Sequence, residues 1–178
     1  MTKEDRKLLL VDLCARLPYG VKCKFDLDGY LSWNPDYKKK FDESAKVIPG
    51  LYEKISNKIY TLESYPCKDR FFLYGLDGVD EWGVPVEFIK PYLRPMSSMT
   101  EREKEEFQYI ACGKILDDCI VRSGFGIKYK NIAEIEEWLN TNNFDFRGLI
   151  EKGISLEAPK GLYLTFGEMK TIVSIEHK

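Results

Sequence analysis

The side chains able to move protons, attack carbonyls or hold metals are thinly spread along these 178 residues. There is one histidine, His177, at the penultimate position, where chains commonly fray. Ser-His-Asp and Cys-His nucleophiles, histidine acid–base chemistry and histidine metal sites all need an imidazole held in a core or cleft. An active site here would have to work with carboxylates, Lys, Tyr, Cys or backbone groups. Two acidic turns, Asp26 with Asp28 and Asp77 with Asp80 and Glu81, carry the oxygens that calcium or magnesium takes. Their spacing does not match a calcium-binding loop, and Asp-Gly is ordinary turn chemistry. Cys112 and Cys119 lie two helical turns apart, about 10 Å, too far for a disulfide or a shared ion. Gly124-Phe125-Gly126 with Lys128 and Lys130 has the composition of a phosphate loop, but it closes a helix instead of opening one. No catalytic, cofactor-binding or metal-ligating residue is assigned.

Binding chemistry has more material. Lys38-Lys39-Lys40 between Tyr37 and Phe41 is a compact basic run with aromatic flanks, suited to nucleic acid or an acidic partner, although such runs are commonly solvated faces. Arg94 sits in a proline-framed stretch with Tyr92, and Arg147 follows Phe144-Asp145-Phe146. Tyrosine and arginine are enriched where partners bind, so Tyr92, Arg94 and Arg147 form the candidate binding surface. The plainer alternative carries more weight: each arginine forks onto carboxylates or chain carbonyls and fastens a loop to the core.

These residues must be held by a fold, and composition sets its class. Lys and Arg total 27 against 29 Asp and Glu, for a net charge of -2, and 44% of residues are apolar. That is a globular chain with one core, without the basic excess of a dedicated nucleic-acid binder. Charged residues from Lys3 to Lys7 precede the first apolar run, 8–11, so neither a secretory signal nor a membrane span is expected, and the expected compartment is the cytoplasm. Five scattered cysteines agree with reduced thiols.

Thr2 and Asp5 resemble a capping box before apolar residues at helical spacing, predicting a helix over 3–16 that Leu17-Pro18-Tyr19-Gly20 ends. Cys14 on that helix and Cys23 on the next strand read as buried packing. Val21, Cys23 and Phe25 alternate with lysines as a half-buried strand, and Asp28-Gly29 suggests a hairpin into 30–33. The segment 34–57 reads as a long loop with a short helical piece. Strands are expected at 58–63 and 70–74, and extended backbone over 84–95. Thr100 with Glu103 starts a helix running to about 122, and Asn131 with Glu134 starts another whose face carries Ile132, Ile135, Trp138 and Leu139. A further helical turn is expected in 144–153 and a strand pair at 162–166 and 171–175. The fold class is α+β: a single domain, 1–178, of small antiparallel sheets of short strands packed with about three helices.

The strings DLCARLPYGV at 12–21, IKPYLRPMSSMT at 89–100, FDFRGLI at 144–150 and LEAP at 156–159 together resemble a family of small proteins, without an assigned activity, from gut anaerobic bacteria and their phages and mobile elements. The likeness runs in blocks from the first helix to about Tyr163. The stretch 34–57 resembles an insertion relative to that pattern, and the tail after about 163 an extension. The resemblance implies a cytoplasmic protein of phage or mobile-element origin and transfers no catalytic residue. The functional expectation is therefore a non-enzymatic module that binds a macromolecule, with a protein as partner and no cofactor or membrane. The alternatives are a metal-assisted hydrolase using the acidic turns and a nucleic-acid-associated protein using Lys38 to Lys40.

Overall fold

Thr2 opens the chain's first helix by the expected chemistry. Its Oγ1 accepts the Asp5 N–H at 3.0 Å and donates to Asp5 Oδ2 at 2.8 Å, satisfying a donor that the helix leaves open. Helix α1 spans Lys3–Arg16 and buries Leu9, Asp12, Leu13 and Arg16. Arg16 forks onto Asp12 one turn earlier, at 2.8 and 3.0 Å, with both side chains fully buried. Cys14 is exposed, against the expectation of buried packing. At 3.6 residues per turn it falls roughly 150° from the centre of the buried arc.

The computed structural model describes residues 1–67, 70–75, 82–112 and 132–163. The expected continuation of the helix beyond Cys112, Cys119, the Gly124-Phe125-Gly126 turn, Asp77, Asp80, Glu81, most of the final strand pair and His177 lie outside them. By internal contacts the chain divides into two units, one of residues 1–93 with 148–159 and one of residues 94–147 with 160–178.

In the first unit, Leu17–Tyr19 tightens into a 3₁₀ turn and Gly20, at φ 62°, takes the left-handed conformation that redirects the chain. Strand β1, Lys22–Phe25, then alternates as its sequence requires: Cys23 and Phe25 are buried and the lysines half-buried. The expected hairpin does not follow. Residues Leu27–Trp33 form helix α2, because Asp26 caps them, its Oδ1 accepting the Gly29 N–H at 3.1 Å. Gly29 serves this close approach and not a turn, since a Cβ there would come within 2.8 Å of Asp26 Oδ2.

The stretch expected to be a loop is also helical. Asn34 accepts the Tyr37 N–H at 3.1 Å and Pro35 occupies the first position of helix α3, Pro35–Val47. Asn-Pro here is a helix start, not an interruption. Gly50, at φ 70°, precedes helix α4, Leu51–Ser56. The rings of Phe25, Tyr30, Trp33, Tyr37 and Phe88 meet at centroid distances of 5.3 to 5.8 Å and close one end of the core.

Strands β2 (Tyr60–Cys67), β3 (Arg70–Gly75), β4 (Trp82–Pro85), β5 (Ile89–Leu93) and β6 (Leu156–Glu157) complete the sheet, in the order β4-β3-β2-β1-β5-β6. All neighbours are antiparallel except β5 and β6, so the sheet is mixed and not purely antiparallel as expected. Pro91 brings no N–H to β5, and the bond from Asp26 N–H to Phe88 O fixes the phase of the ladder. Counting by twos, Pro91 faces away from β1, on the side where β6 begins pairing only at Tyr92. Leu9 and Leu13 of α1, Leu31 of α2, Phe41 of α3 and Ile55 of α4 pack with Cys23, Tyr60, Leu62, Ile89 and Leu93 as one buried cluster.

In the second unit, Thr100 and Glu103 form the predicted reciprocal cap. Thr100 N–H donates to Glu103 Oε2 at 2.9 Å and Glu103 N–H to Thr100 Oγ1 at 3.3 Å. Helix α5 follows as Glu101–Cys112, and helix α6 spans Ile132–Thr141. Of the face expected on α6, Leu139 is buried and Trp138 stacks on Phe144 at 5.6 Å, whereas Ile132 is exposed. Asn143, at φ 56°, ends α6, and Phe144 bridges to Arg94. Residues 144–153 make successive turns but no helix, with Gly148 and Gly153 both left-handed. The described residues thus contain six α-helices, twice the number expected, and the α+β class stands. No helix among the described residues is long and apolar enough to cross a membrane.

Candidate functional site

The three residues singled out as a binding surface have different surroundings. Arg94 is buried, and both of its terminal nitrogens are engaged. Its Nη1 and Nη2 donate to the two Glu103 carboxylate oxygens at 2.8 Å each, and its guanidinium lies 4.2 Å from the Phe144 ring centroid. That is a forked, stacked pair fastening the chain after β5 to the start of α5. Arg147 donates to Asn140 Oδ1 at 3.1 Å and stacks on Phe146 at 4.0 Å. Tyr92 is a half-buried residue of β5 in the first unit, and burial raises its phenol, with Cys23 adding to the effect.

The other candidates are similarly placed. Lys38, Lys39 and Lys40 are exposed on α3, but Phe41 is buried and Tyr37 packs on Tyr30 at 5.3 Å. The helix turns the lysines and their flanking aromatics to different faces. Asp26 is a helix cap and Asp28 accepts the Tyr52 hydroxyl at 2.7 Å. Among the described residues no three His, Cys, Asp or Glu side chains converge as metal ligands would.

Among the described residues, an arrangement able to bind lies on the other face of the sheet's centre. Lys24 of β1 and Lys90 of β5 are directly opposite in register, so their side chains leave the same face about 5 Å apart. Directly opposed like charges destabilise a strand pair. Neither lysine has an ion pair or hydrogen bond among the described residues. Neighbouring Lys22, by contrast, donates to Thr61 Oγ1 at 2.7 Å.

The pair lines a hollow of about 380 Å³ walled by Asp28, Tyr52, Asn57 and Leu156. Helix α4 supplies Tyr52 and its C-terminal cap Asn57, the first turn of α2 supplies Asp28, and β6 supplies Leu156. The hydrogen bond to Asp28 raises the Tyr52 phenol. Val47 and Ile48, exposed apolar residues at the corner between α3 and α4, precede Tyr52 by five and four positions. Two lysines without an ion pair among the described residues, in a hollow that Asp26 and Asp28 also line, can meet a carboxylate and orient what carries it.

Sequence reasoning passed over Lys24 and Lys90. The alternation 21–25 marked Lys24 as outward, and the same alternation holds from Ile89 to Leu93. Their meeting follows from β1 pairing with β5 across more than sixty intervening residues. No family model matches this chain, and no curated protein or solved structure matches it either.

Proposed function

We propose that the protein is a non-enzymatic binding or accessory module that takes a protein partner at the Lys24–Lys90 hollow. The observation that carries this reading is the register itself: two lysines held face to face, neither of them in an ion pair among the described residues, an arrangement that costs the free chain stability and that an anionic partner relieves. The exposed Tyr52 in the wall of the hollow offers the apolar contact that accompanies charge at interfaces. The resemblance to proteins of phages and mobile elements supports an origin of that kind and action inside a bacterial cell.

The test is a pull-down from host lysate, with and without nuclease, using the natural chain and Lys24→Glu/Lys90→Glu. The double variant keeps a like-charged pair and inverts its sign, so the strand pairing is left with a similar cost. A protein retained in the presence of nuclease by the natural chain and lost by the variant is the expected result. Equal retention by both overturns the assignment of this surface. Recovery abolished by nuclease replaces the protein partner with nucleic acid.

A further inference from the structure

The hollow at the lysine pair holds both signs of charge. Lys24 and Lys90 line it, and so do Asp26 and Asp28, the N-cap and a first-turn residue of α2. Neither lysine forms an ion pair with either aspartate, or with any other carboxylate among the described residues. Neutral donors hold the aspartates instead: Asp26 Oδ1 accepts the Gly29 N–H at 3.1 Å and Asp28 Oδ2 the Tyr52 hydroxyl at 2.7 Å. Two cations and two carboxylates thus line one space of about 380 Å³, and among the described residues none of the four is neutralised by its opposite.

This balance decides what the hollow accepts. A phosphate or a run of carboxylates gains the lysines but meets the aspartates, and a simple amine gains the aspartates but meets the lysines. Like charges brought together at a contact are costly. A molecule with one charge of each sign gains both. Small-molecule sites span roughly 300 to 1,000 Å³, and a hollow of about 380 Å³ stands at the small end of that range. Leu156 adds an apolar residue to the lining, which suits an aliphatic stem between the two charges.

We infer that the hollow takes a small zwitterion, an aliphatic molecule with one carboxylate and one ammonium group, as in a free amino acid. Its carboxylate meets the Lys24–Lys90 pair and its ammonium meets Asp28, whose Oδ1 is not the oxygen that Tyr52 uses. The inference rests on the reading of the two lysines as a binding site and adds the aspartates to it. Both occupants draw on the same lysines, so the zwitterion and an acidic protein partner exclude one another.

Proton–nitrogen correlation spectra of the full isotope-labelled chain, titrated near neutral pH at constant ionic strength, test this. The probes are glycine, γ-aminobutyrate and ε-aminocaproate, with butyrate and butylammonium as one-charge controls. At least one zwitterion should give saturable shifts centred on Lys24, Asp28, Tyr52 and Lys90, with a dissociation constant about fivefold or more below that of either control. Lys24→Gln/Lys90→Gln and Asp28→Asn should each weaken that binding by about fivefold or more. The Asp28→Asn variant keeps an acceptor for the Tyr52 hydroxyl and removes only the charge. Lys24→Arg/Lys90→Arg should retain binding, and the dispersion of each spectrum checks the fold. Saturation by no zwitterion, a one-charge control binding as tightly as the best zwitterion, or binding unchanged in either the Gln or the Asn variant would each overturn the inference. If it fails while lysate capture still depends on the two lysines, the protein-binding surface stands and only the zwitterion assignment falls. If a zwitterion binds as expected while lysate capture is the same for the natural chain and Lys24→Glu/Lys90→Glu, the hollow keeps its small ligand and the protein partner falls.

Discussion

Glu103 shows how one carboxylate serves several ends at once. Burial pushes its carboxyl up, but the Arg94 fork and the Thr100 N–H and hydroxyl outweigh that and hold it below the ordinary carboxylate value. The stability it contributes is therefore complete above the unfolded-state value and is lost as pH falls through the lower folded-state value. Chemical denaturation of Glu103→Gln should show a loss of about 3 kcal/mol near neutral pH, and the difference from the natural chain should shrink in the acid range below about pH 4.5. Cys14 and Cys23 make a second contrast. Burial drives the Cys23 thiol far up, whereas Cys14 is exposed and only modestly raised by the same cause. Iodoacetamide should label Cys14 in the native protein and reach Cys23 only after denaturation, as read by peptide mass mapping.

Among the elements, the β1–β5 pair is where the proposed binding and stability would pull in opposite directions. Lys24→Glu turns an opposed like-charge pair into an attractive cross-strand pair. The single variant should gain about 0.2 to 1 kcal/mol in denaturant unfolding while losing affinity for an acidic partner. A residue that merely supported the fold would lose both together. Helix α2 displays the same dependence on a local choice. Asp26 captures the Gly29 N–H, and with Leu27, Tyr30 and Leu31 buried beneath it the segment coils where its Asp-Gly pair had suggested a hairpin. The turn chemistry of that pair and the cap chemistry of the preceding aspartate compete for the same few residues, and burial of one helical face decided between them.

For the molecule as a whole, a net charge of -2 means that the proposed attraction of an anionic partner would be local to the lysine pair and not a property of the surface at large. Binding should weaken with salt, but gently. A plot of log affinity against log salt should have a slope no steeper than about -2 for one carboxylate on two lysines, against about -5 for a nucleic acid contacting six phosphates. Anisotropy titrations across a salt series measure this directly.

What the sequence determined by itself was local. The Thr2 and Thr100 caps, the apolar stripe of α1, the alternation of β1 and the α+β class all rest on hydrogen bonds within a few residues or on the period of apolar side chains, and each was legible without a partner. Helices α3 and α4 were legible in principle, since Asn34-Pro35 is a start signal, but the lysine run and Pro49-Gly50 broke the periodicity that would have revealed them. Tertiary structure alone decided that Lys24 faces Lys90, that Arg94 is spent on Glu103 and that β6 joins parallel to β5. The reason is energetic. Closing a loop costs only logarithmically more as it lengthens, so several strand orders are nearly equal in that cost. The choice among them falls to the packing of Leu9, Leu13, Phe41 and Ile55 over the sheet, which no short stretch of sequence contains.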